Sequence, residues 1–309
     1  MELNDAYEIE PRAMAGAGGV TAKAAAPLFI LHWNRPEECL RTVKAFQAQG
    51  PSLEIHIIDN HSEPEALRKL IDGLPPEVQV LRLDENKGWG GAFNIVLRGW
   101  LDSGGSEICF ISAHDAVPAE GCIELLLGAM AENPQVGIAC PEYGFPAAPR
   151  FSRLRYIRNA PVGPRSRGET DTIDAPFGTL IAFRKKCLQE IGLFDERYFA
   201  YGDEQEIGMR ARKRNWLVNV VWGAVVENPG TWTTSRTRSY LFTRNSLLLI
   251  RTYAGRRWAT LRLLLMLPNT LRMLVLPSTR DVAFSGSARM LGIRDYLRGR
   301  YGPPPQNSK

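Results

Sequence analysis

The 309 residues include only four histidines and five cysteines, and no two cysteines are spaced as a C-x-x-C pair. An odd, scattered set (Cys39, Cys109, Cys122, Cys140 and Cys187) argues against a disulfide framework or a zinc knuckle and fits a reducing cytoplasm. Cys109 and Cys140 lie in strand-like runs and read as core residues. Long apolar runs are also missing. The nearest approach to a membrane span, Leu261 to Leu276, is interrupted by Arg262, Pro268, Asn269 and Arg272. The N-terminus has no basic stretch followed by an apolar one, so it does not read as a secretory signal. Residues 1–26 open with Glu2, Asp5, Glu8 and Glu10, then run through alanine and glycine, and are expected to be a flexible leader. The cluster Gly16-Ala17-Gly18-Gly19 has no strand before it, which weakens any reading of it as a dinucleotide loop. Acidic residues are scarce near the C-terminus: Arg236 to Arg300 holds only Asp281 and Asp295.

What is present is ordinary for a globular α/β chain. Apolar residues make up 44%, charged residues 23%, and the net charge is +5. That is enough for one large domain and a smaller appendage. Strands are expected at Pro27 to His32, Leu53 to Ile58, Val78 to Leu83, Ile108 to Ser112 and Val136 to Cys140. Helices are expected between them at Glu37 to Gln47, Glu65 to Ile71, Gly90 to Leu101 and Glu120 to Ala131. Strict alternation of this kind predicts a mostly parallel sheet covered on both faces, with the polar strand ends gathered on one edge. Tyr143 to Asp174 is rich in proline, arginine and glycine and breaks the rhythm, so it reads as a long loop or irregular hairpin. Gly178 to Phe183 and Val218 to Trp222 are further strands. Lys185 to Ile191 and Asp203 to Asn215 are helices. From residue 234 to 309 the pattern is helical: Tyr240 to Tyr253, Trp258 to Val275, Ala288 to Tyr301. The arginines of that region could face phosphates, of a donor, a lipid head group or nucleic acid, or could be a solvated helical face. The basic tail alone is too general to indicate a nucleic-acid module, and none is expected.

Four polar clusters fall where the sheet edge should be. Asn34-Arg35-Pro36 and Asp59-Asn60-His61-Ser62 end the first two strands. An aspartate there can accept hydrogen bonds from a ribose hydroxyl or a base N–H, or simply cap the next helix. Glu85 to Asn94 brings Gly88, Gly90 and Gly91 to a helix entry, where backbone can approach an anion closely or merely make a tight turn. Ser112-Ala113-His114-Asp115 ends an apolar strand with one carboxylate able to help hold Mg²⁺ or Mn²⁺. Asp203-Glu204-Gln205-Glu206 opens a helix whose dipole favours such acids, with Glu206 and Arg210 an i,i+4 pair.

Taken in this order, these clusters resemble family 2 glycosyltransferases, the inverting enzymes with the GT-A fold, and more narrowly their rhamnosyltransferase-like branch. The resemblance runs from about Pro27 to Arg251. Asp59-Asn60-His61-Ser62 is similar to the family's nucleotide-contacting D-N-x-S, and Asn86 to Asn94 to its N-x-G-x-x-x-x-x-N. Gly192-Leu193-Phe194-Asp195-Glu196-Arg197-Tyr198-Phe199 looks like its G-x-F-D-E-x-F-F. Tyr240 to Leu249, with Arg244-Asn245, looks like its Y-x-x-R-N helix. Three positions depart from the pattern. The D-x-D metal motif reads Ala113-His114-Asp115. The E-D pair reads Asp203-Glu204. A histidine of the later metal-binding turn is replaced by Glu227.

The resemblance implies a single in-line displacement at an anomeric carbon, best guess rhamnose from dTDP-rhamnose, onto a hydroxyl of a cell-surface or lipid-linked glycan. It implies Glu204 as the base, with Asp203 as fallback. Donor contacts are expected from Asn34, Arg35, Asp59, Asn86, Lys87, Gly88, Trp89, Gly91, Asn94, His114, Asp115 and Arg244, and acceptor contacts from Gly178, Thr179 and Tyr201. A Mg²⁺ or Mn²⁺ ion is expected on Asp115 and Glu227. The expected setting is cytoplasmic, with peripheral contact at the inner membrane face or a homodimer through the C-terminal helices. The alternatives are a catalytically impaired nucleotide-sugar-binding protein on the same scaffold, or a transferase acting on a soluble natural product. A nucleotidyltransferase is disfavoured, because His32-Trp33-Asn34-Arg35-Pro36 stands where its glycine-rich loop belongs.

Overall fold

The computed structural model describes residues 25–305, apart from 51, 143, 145, 229, 231, 232, 281 and 282. The expected leader therefore lies almost wholly outside the described residues. The first half alternates as expected: β1 (Ala26–His32), α1 (Pro36–Gln47), β2 (Leu53–Asp59), α2 (Pro64–Gly73), β3 (Gln79–Arg82), α3 (Gly88–Asp102) and β4 (Ile108–Ala113). Pro36 and Pro64 each open a helix, where the missing N–H costs nothing and the fixed φ is already helical. Next come the short β5 (Val117–Pro118), α4 (Cys122–Glu132) and β6 (Val136–Pro141).

The irregular segment contains a true hairpin, β7 (Ala147–Ser152) with β8 (Tyr156–Pro161), and a short strand β9 (Thr170–Thr172). The chain returns through β10 (Leu180–Arg184), α5 (Lys185–Ile191), α6 (Asp203–Lys213), β11 (Leu217–Val221) and β12 (Val226–Glu227). It ends in α7 (Ser235–Ala254), α8 (Arg256–Val275) and α9 (Gly286–Leu297).

Eight strands form one sheet in the order β3-β2-β1-β4-β10-β6-β11-β9. All run the same way except β10, antiparallel to β4 and β6, and β9, antiparallel to β11. Alternate side chains point to opposite faces of a strand, and β1 shows the consequence. Leu28 and Ile30 join a core with Val43 and Phe46 of α1, Leu70 of α2 and Met130 of α4. Phe29 and Leu31 join the other core, with Phe93 of α3, Leu188 of α5 and Ile207 of α6. Five cysteines, all free, are buried, and that burial raises each thiol above its ordinary pKa. They are core residues, as the sequence suggested for Cys109 and Cys140.

The C-terminal helices share a third apolar cluster with Tyr156 of the hairpin and Tyr198, the residue before Phe199. No helix among the described residues is long and apolar enough to cross a membrane.

Candidate active site

Register fixes the rim. His32 of β1 lies opposite Asp59 of β2, and Leu31 opposite Ala113 of β4, so the parallel strands end together. Because β10 is antiparallel to β4, its beginning lies at that same end, with Leu180 opposite Ser112. The Ala113 N–H donates to the Thr179 carbonyl at 3.0 Å, placing Gly178 and Thr179 on the rim beside Asp115. The short pair β5–β12 brings Asn228 across: its amide donates to Thr179 Oγ1 at 3.2 Å and to Asp115 Oδ1 at 3.4 Å. On the other side of Thr179, a Cβ added to Gly178 would sit 3.6 Å from the Glu204 carboxyl carbon. Asp115 and Glu204, 89 positions apart by number, are thus linked through Asn228, Thr179 and Gly178.

At the far side of the rim, Asp59 is fully buried. It accepts from His32 Nδ1 at 2.9 Å and from the Ser62 N–H at 3.3 Å. Burial alone would raise its pKa, but the hydrogen bonds from His32 and Ser62 outweigh it and hold the carboxyl below its ordinary value. His32 Nε2 accepts the Arg35 N–H at 3.2 Å, which fixes the proton on Nδ1. Asn34 sits at φ 55°, with its N–H on Ser62 Oγ at 2.9 Å and its side-chain oxygen accepting from the Glu63 N–H at 2.7 Å. Arg82 Nε lies 3.9 Å from Asp59 Oδ2. It also lines a cleft of about 340 Å³ together with Asp84, Glu85 and Lys87. His114 donates from Nδ1 to the Leu31 carbonyl at 3.1 Å, leaving a buried Nε2 with no partner among the described residues. Burial first, against the pull of Asp115, lowers its pKa, so the ring is neutral and Nε2 is an open acceptor.

The glycine-rich turn is locked to the loop before α6. Gly88 has φ +74° and any Cβ there would meet the Phe199 carbonyl oxygen at 2.1 Å, so only glycine fits. The Trp89 N–H donates to that same carbonyl at 2.6 Å. Gly91 is buried in the first turn of α3, with Lys87 Cβ 3.3 Å from its own would-be Cβ. Asp203 is fully buried and accepts the Gly90 N–H at 3.1 Å, capping α3 from a distant element. Burial, then the neighbouring Glu204 carboxylate, pushes Asp203 well above the ordinary carboxylate range. Asp203 is therefore enclosed while Glu204 remains half-buried at the rim. Glu206 is bidentate to Arg210, at 2.6 and 3.2 Å, and is also held by the Tyr253 hydroxyl at 2.8 Å.

Several expected donor contacts turn out to brace the protein itself. Asn86 and Asn60 share a hydrogen bond of 3.1 Å, and the Asn60 side chain also accepts from the Lys87 N–H and donates to the Gly88 carbonyl, so the pair ties two loops together. Asn94 is buried and holds the Phe194 backbone from both sides, at 2.9 and 3.0 Å. Lys87 is exposed and paired with Glu85. Arg244 is fully buried, and its guanidinium donates to the carbonyls of Arg197, Tyr198 and Gly302. Its Nε, Nη1 and Nη2 all donate to protein groups. Its neighbour Asn245 places its amide nitrogen 2.8 Å from each of the carbonyls of Tyr198, Ala200 and Tyr201. Phe199, Tyr201 and Gly202 all have positive φ, at 65°, 62° and 125°, and this pair clamps the strained loop that delivers Glu204. Glu227 is exposed on β12, and it is Asn228, one residue on, that reaches Asp115. No group of three histidine, cysteine or acidic side chains stands together as a metal site among the described residues.

Residues 28–192, more than half of the chain, match the family profile described as Glycosyl transferase family 2. The chain belongs to that family. Among curated relatives, N-acetylglucosaminyl-diphospho-decaprenol L-rhamnosyltransferase from two strains of Mycobacterium tuberculosis is 24% identical over 193 residues. That match covers 52% of this chain and 62% of the relative's length, so the chain spans under two thirds of it. Two solved structures share the fold at 15% identity. GalNAc-T7 with UDP, GalNAc and Mn²⁺ superposes with a TM-score of 0.60 over 89% of this chain and 56% of its own. Mannosyltransferase PcManGT from Pyrobaculum calidifontis, with GDP-Man and Mn²⁺, gives 0.54 over 91% and 89%. The family 2 chain described here therefore has the GT-A fold expected of it.

Two contributors carried no decisive sequence signal. His32 is visible only as the polar end of an apolar strand, and Asn228 only as the residue after a charged one. Both take their meaning from the strand ends they meet.

Proposed function

We propose that this family 2 chain is an inverting glycosyltransferase in which Glu204 deprotonates the acceptor hydroxyl as that oxygen attacks the anomeric carbon of a nucleoside-diphosphate sugar. The observation that carries it is the placement of Asp115, Thr179, Gly178 and Glu204 in sequence along one rim. The strand ends ordered around buried Asp59, with the exposed Arg82 guanidinium beside it, receive the nucleoside. The leaving group carries two phosphates, whose charge must be neutralised as the bond breaks. A hard cation takes oxygen ligands and keeps sites for phosphate, and the Asp115 carboxylate with Thr179 Oγ1 near it, both gathered by the Asn228 amide, offers oxygens to such an ion. Mg²⁺ or Mn²⁺ held there would neutralise the diphosphate. Rhamnose, as in the relative's name, is the first sugar to test.

In a thermal-shift panel, one nucleotide sugar, with dTDP-rhamnose tested first and then UDP- and GDP-sugars, is expected to stabilise the protein selectively. Asp115→Ala or EDTA should remove most of that shift. A shift unchanged by both would remove Asp115 as a metal ligand and leave the nucleotide assignment standing.

The acceptor we propose is lipid-linked, reached from the membrane surface. Helix α8 is built inside out. Its buried positions are Ala259, Met266, Thr270 and Met273, while Leu264, Leu271 and Val275 are 58%, 63% and 68% exposed. Exposed Arg256, Arg257, Arg272 and Arg280 flank these leucines, and no aspartate or glutamate occurs from residue 228 to 280. An apolar face with an all-cationic rim fits an anionic bilayer, which contributes on the order of 1 kcal/mol per basic residue near the surface. The full chain is expected to co-sediment with phosphatidylglycerol-containing vesicles, less at high salt, and Leu264→Glu with Leu271→Glu to abolish this. Conversion of a dimer to a monomer by that variant, with no vesicle binding by the parent, would assign the face to a second copy.

A further inference from the structure

The β7–β8 hairpin presents an arrangement that the transfer chemistry alone does not require. Between Glu142 and Glu169 the chain has no acidic residue but has Arg150, Arg153, Arg155, Arg158, Arg165 and Arg167. Two of these are accounted for: Arg165 pairs with Asp171 at 2.7 Å, and Arg167 donates to the Glu120 carbonyl at 3.1 Å. Strand register sets Arg150 directly opposite Arg158. Like charges directly opposite in an antiparallel pair repel. Among the described residues, none of the side chains of Arg150, Arg155 and Arg158 makes a hydrogen bond or salt bridge. Asp171, a carboxylate that feels Arg150, is already bonded to Arg165 and Trp222, and Asp174 is engaged by the Phe151 N–H at 2.8 Å. With Phe151 and Ser152, these three arginines line a cavity of about 260 Å³.

The cavity is anchored to the active site. Tyr156, at the hairpin turn, donates its hydroxyl to Gln205 Oε1 at 3.0 Å, one residue beyond Glu204. Its acidity is suppressed by burial and then by the neighbouring Glu204 and Asp203, so the ring lies close to both. The turn is tied on its other side to α8, whose Arg262 donates to the Leu154 carbonyl at 2.8 Å. The three arginines therefore belong to a hairpin held between the catalytic helix and the helix with the exposed leucine face.

We propose that Arg150, Arg155 and Arg158 form an anion cradle that binds the phosphate or diphosphate of the acceptor. This rests on the transferase reading and names the acceptor's chemistry: a sugar hydroxyl presented from a phosphorylated carrier. Planar guanidiniums bind phosphate oxygens in pairs, and a bound anion turns the Arg150–Arg158 repulsion into a shared attraction. The cradle shares no lining residue with the donor's diphosphate site at Asp115.

The test uses the full chain and the variant Arg155→Gln/Arg158→Gln. Arg155 and Arg158 are both exposed, so the fold should survive and, without ligand, Tm should hold or rise as the repulsion is relieved. The donor site is first saturated with whichever nucleoside diphosphate stabilises the protein most, and inorganic pyrophosphate is then titrated by calorimetry. Pyrophosphate binding is expected to weaken at least tenfold in the variant while the nucleotide shift stays the same. Phosphatidylcholine vesicles with and without farnesyl diphosphate form a second arm. Binding of the diphosphate-bearing vesicles by the parent but not the variant assigns the anion to a lipid carrier. Loss confined to free pyrophosphate assigns it to a soluble phosphorylated acceptor. Equal pyrophosphate affinity in parent and variant overturns the cradle, whereas absence of any nucleotide shift in both proteins would instead sink the transferase reading.

Discussion

Replacing Glu204 by glutamine is expected to lower kcat by about 10²–10⁴-fold while leaving the nucleotide-sugar thermal shift intact. The substitution is nearly isosteric, and the amide oxygen can still accept the Gly202 N–H that lies 3.4 Å from Glu204 Oε2. Only the ability to take a proton is lost. Asp203→Asn is the contrasting variant. Asp203 is enclosed, has its pKa pushed well up by burial, and accepts the Gly90 N–H. An asparagine oxygen can still accept that N–H, so much of the activity should remain. Steady-state release of the nucleoside diphosphate, measured with and without acceptor, reads both variants. Near-normal transfer by Glu204→Gln, with loss in Asp203→Asn, would reverse the two roles. Donor binding by the parent protein with neither hydrolysis nor transfer would favour the binding-protein alternative.

How far these roles could be read in advance depended on what each residue answers to. Strand and helix positions answer to local pattern. Leu28 to Leu31 are apolar on both faces because helices cover both, and Pro36 and Pro64 mark helix starts by their own geometry. The direction of β10 does not answer to local pattern: Leu180 to Phe183 is an apolar run that would look the same in either orientation. Yet that reversal brings Gly178 and Thr179 to the rim. Polar residues divide in the same way. Asp59, Asp115 and Glu204 announced themselves as acids at strand or helix ends. The asparagines of the glycine-rich turn looked equally suited to a ligand, but their partners are backbone groups of Phe194 and Gly88, far away or fixed by the fold. Nothing in the sequence distinguishes an asparagine that binds a ligand from one that binds a loop.

The same ambiguity makes Arg244 the most consequential test of the scaffold. As a donor ligand, its loss would weaken nucleotide binding and leave stability nearly unchanged. As a clamp, its loss strands the buried carbonyl of Tyr198 and the partly buried ones of Arg197 and Gly302, and deprives Asn245 Oδ1 of its 2.9 Å donor. It also removes the cation beside Tyr240, whose hydroxyl donates to buried Asp295 at 3.0 Å. Breaking a buried charged network of this kind costs about 3–5 kcal/mol. For a chain of this size the expected fall in Tm is on the order of 10 °C. The 199–202 loop, with three positive-φ residues, should relax once its brace is gone, lowering kcat in whatever fraction stays folded. Scanning calorimetry of Arg244→Ala, alongside the donor thermal shift below the new Tm, separates the two roles. An unchanged Tm with lost donor binding would return the guanidinium to the diphosphate. A large fall in Tm with donor binding retained would establish that the Arg-Asn pair of α7 acts on Glu204 through the loop that carries it.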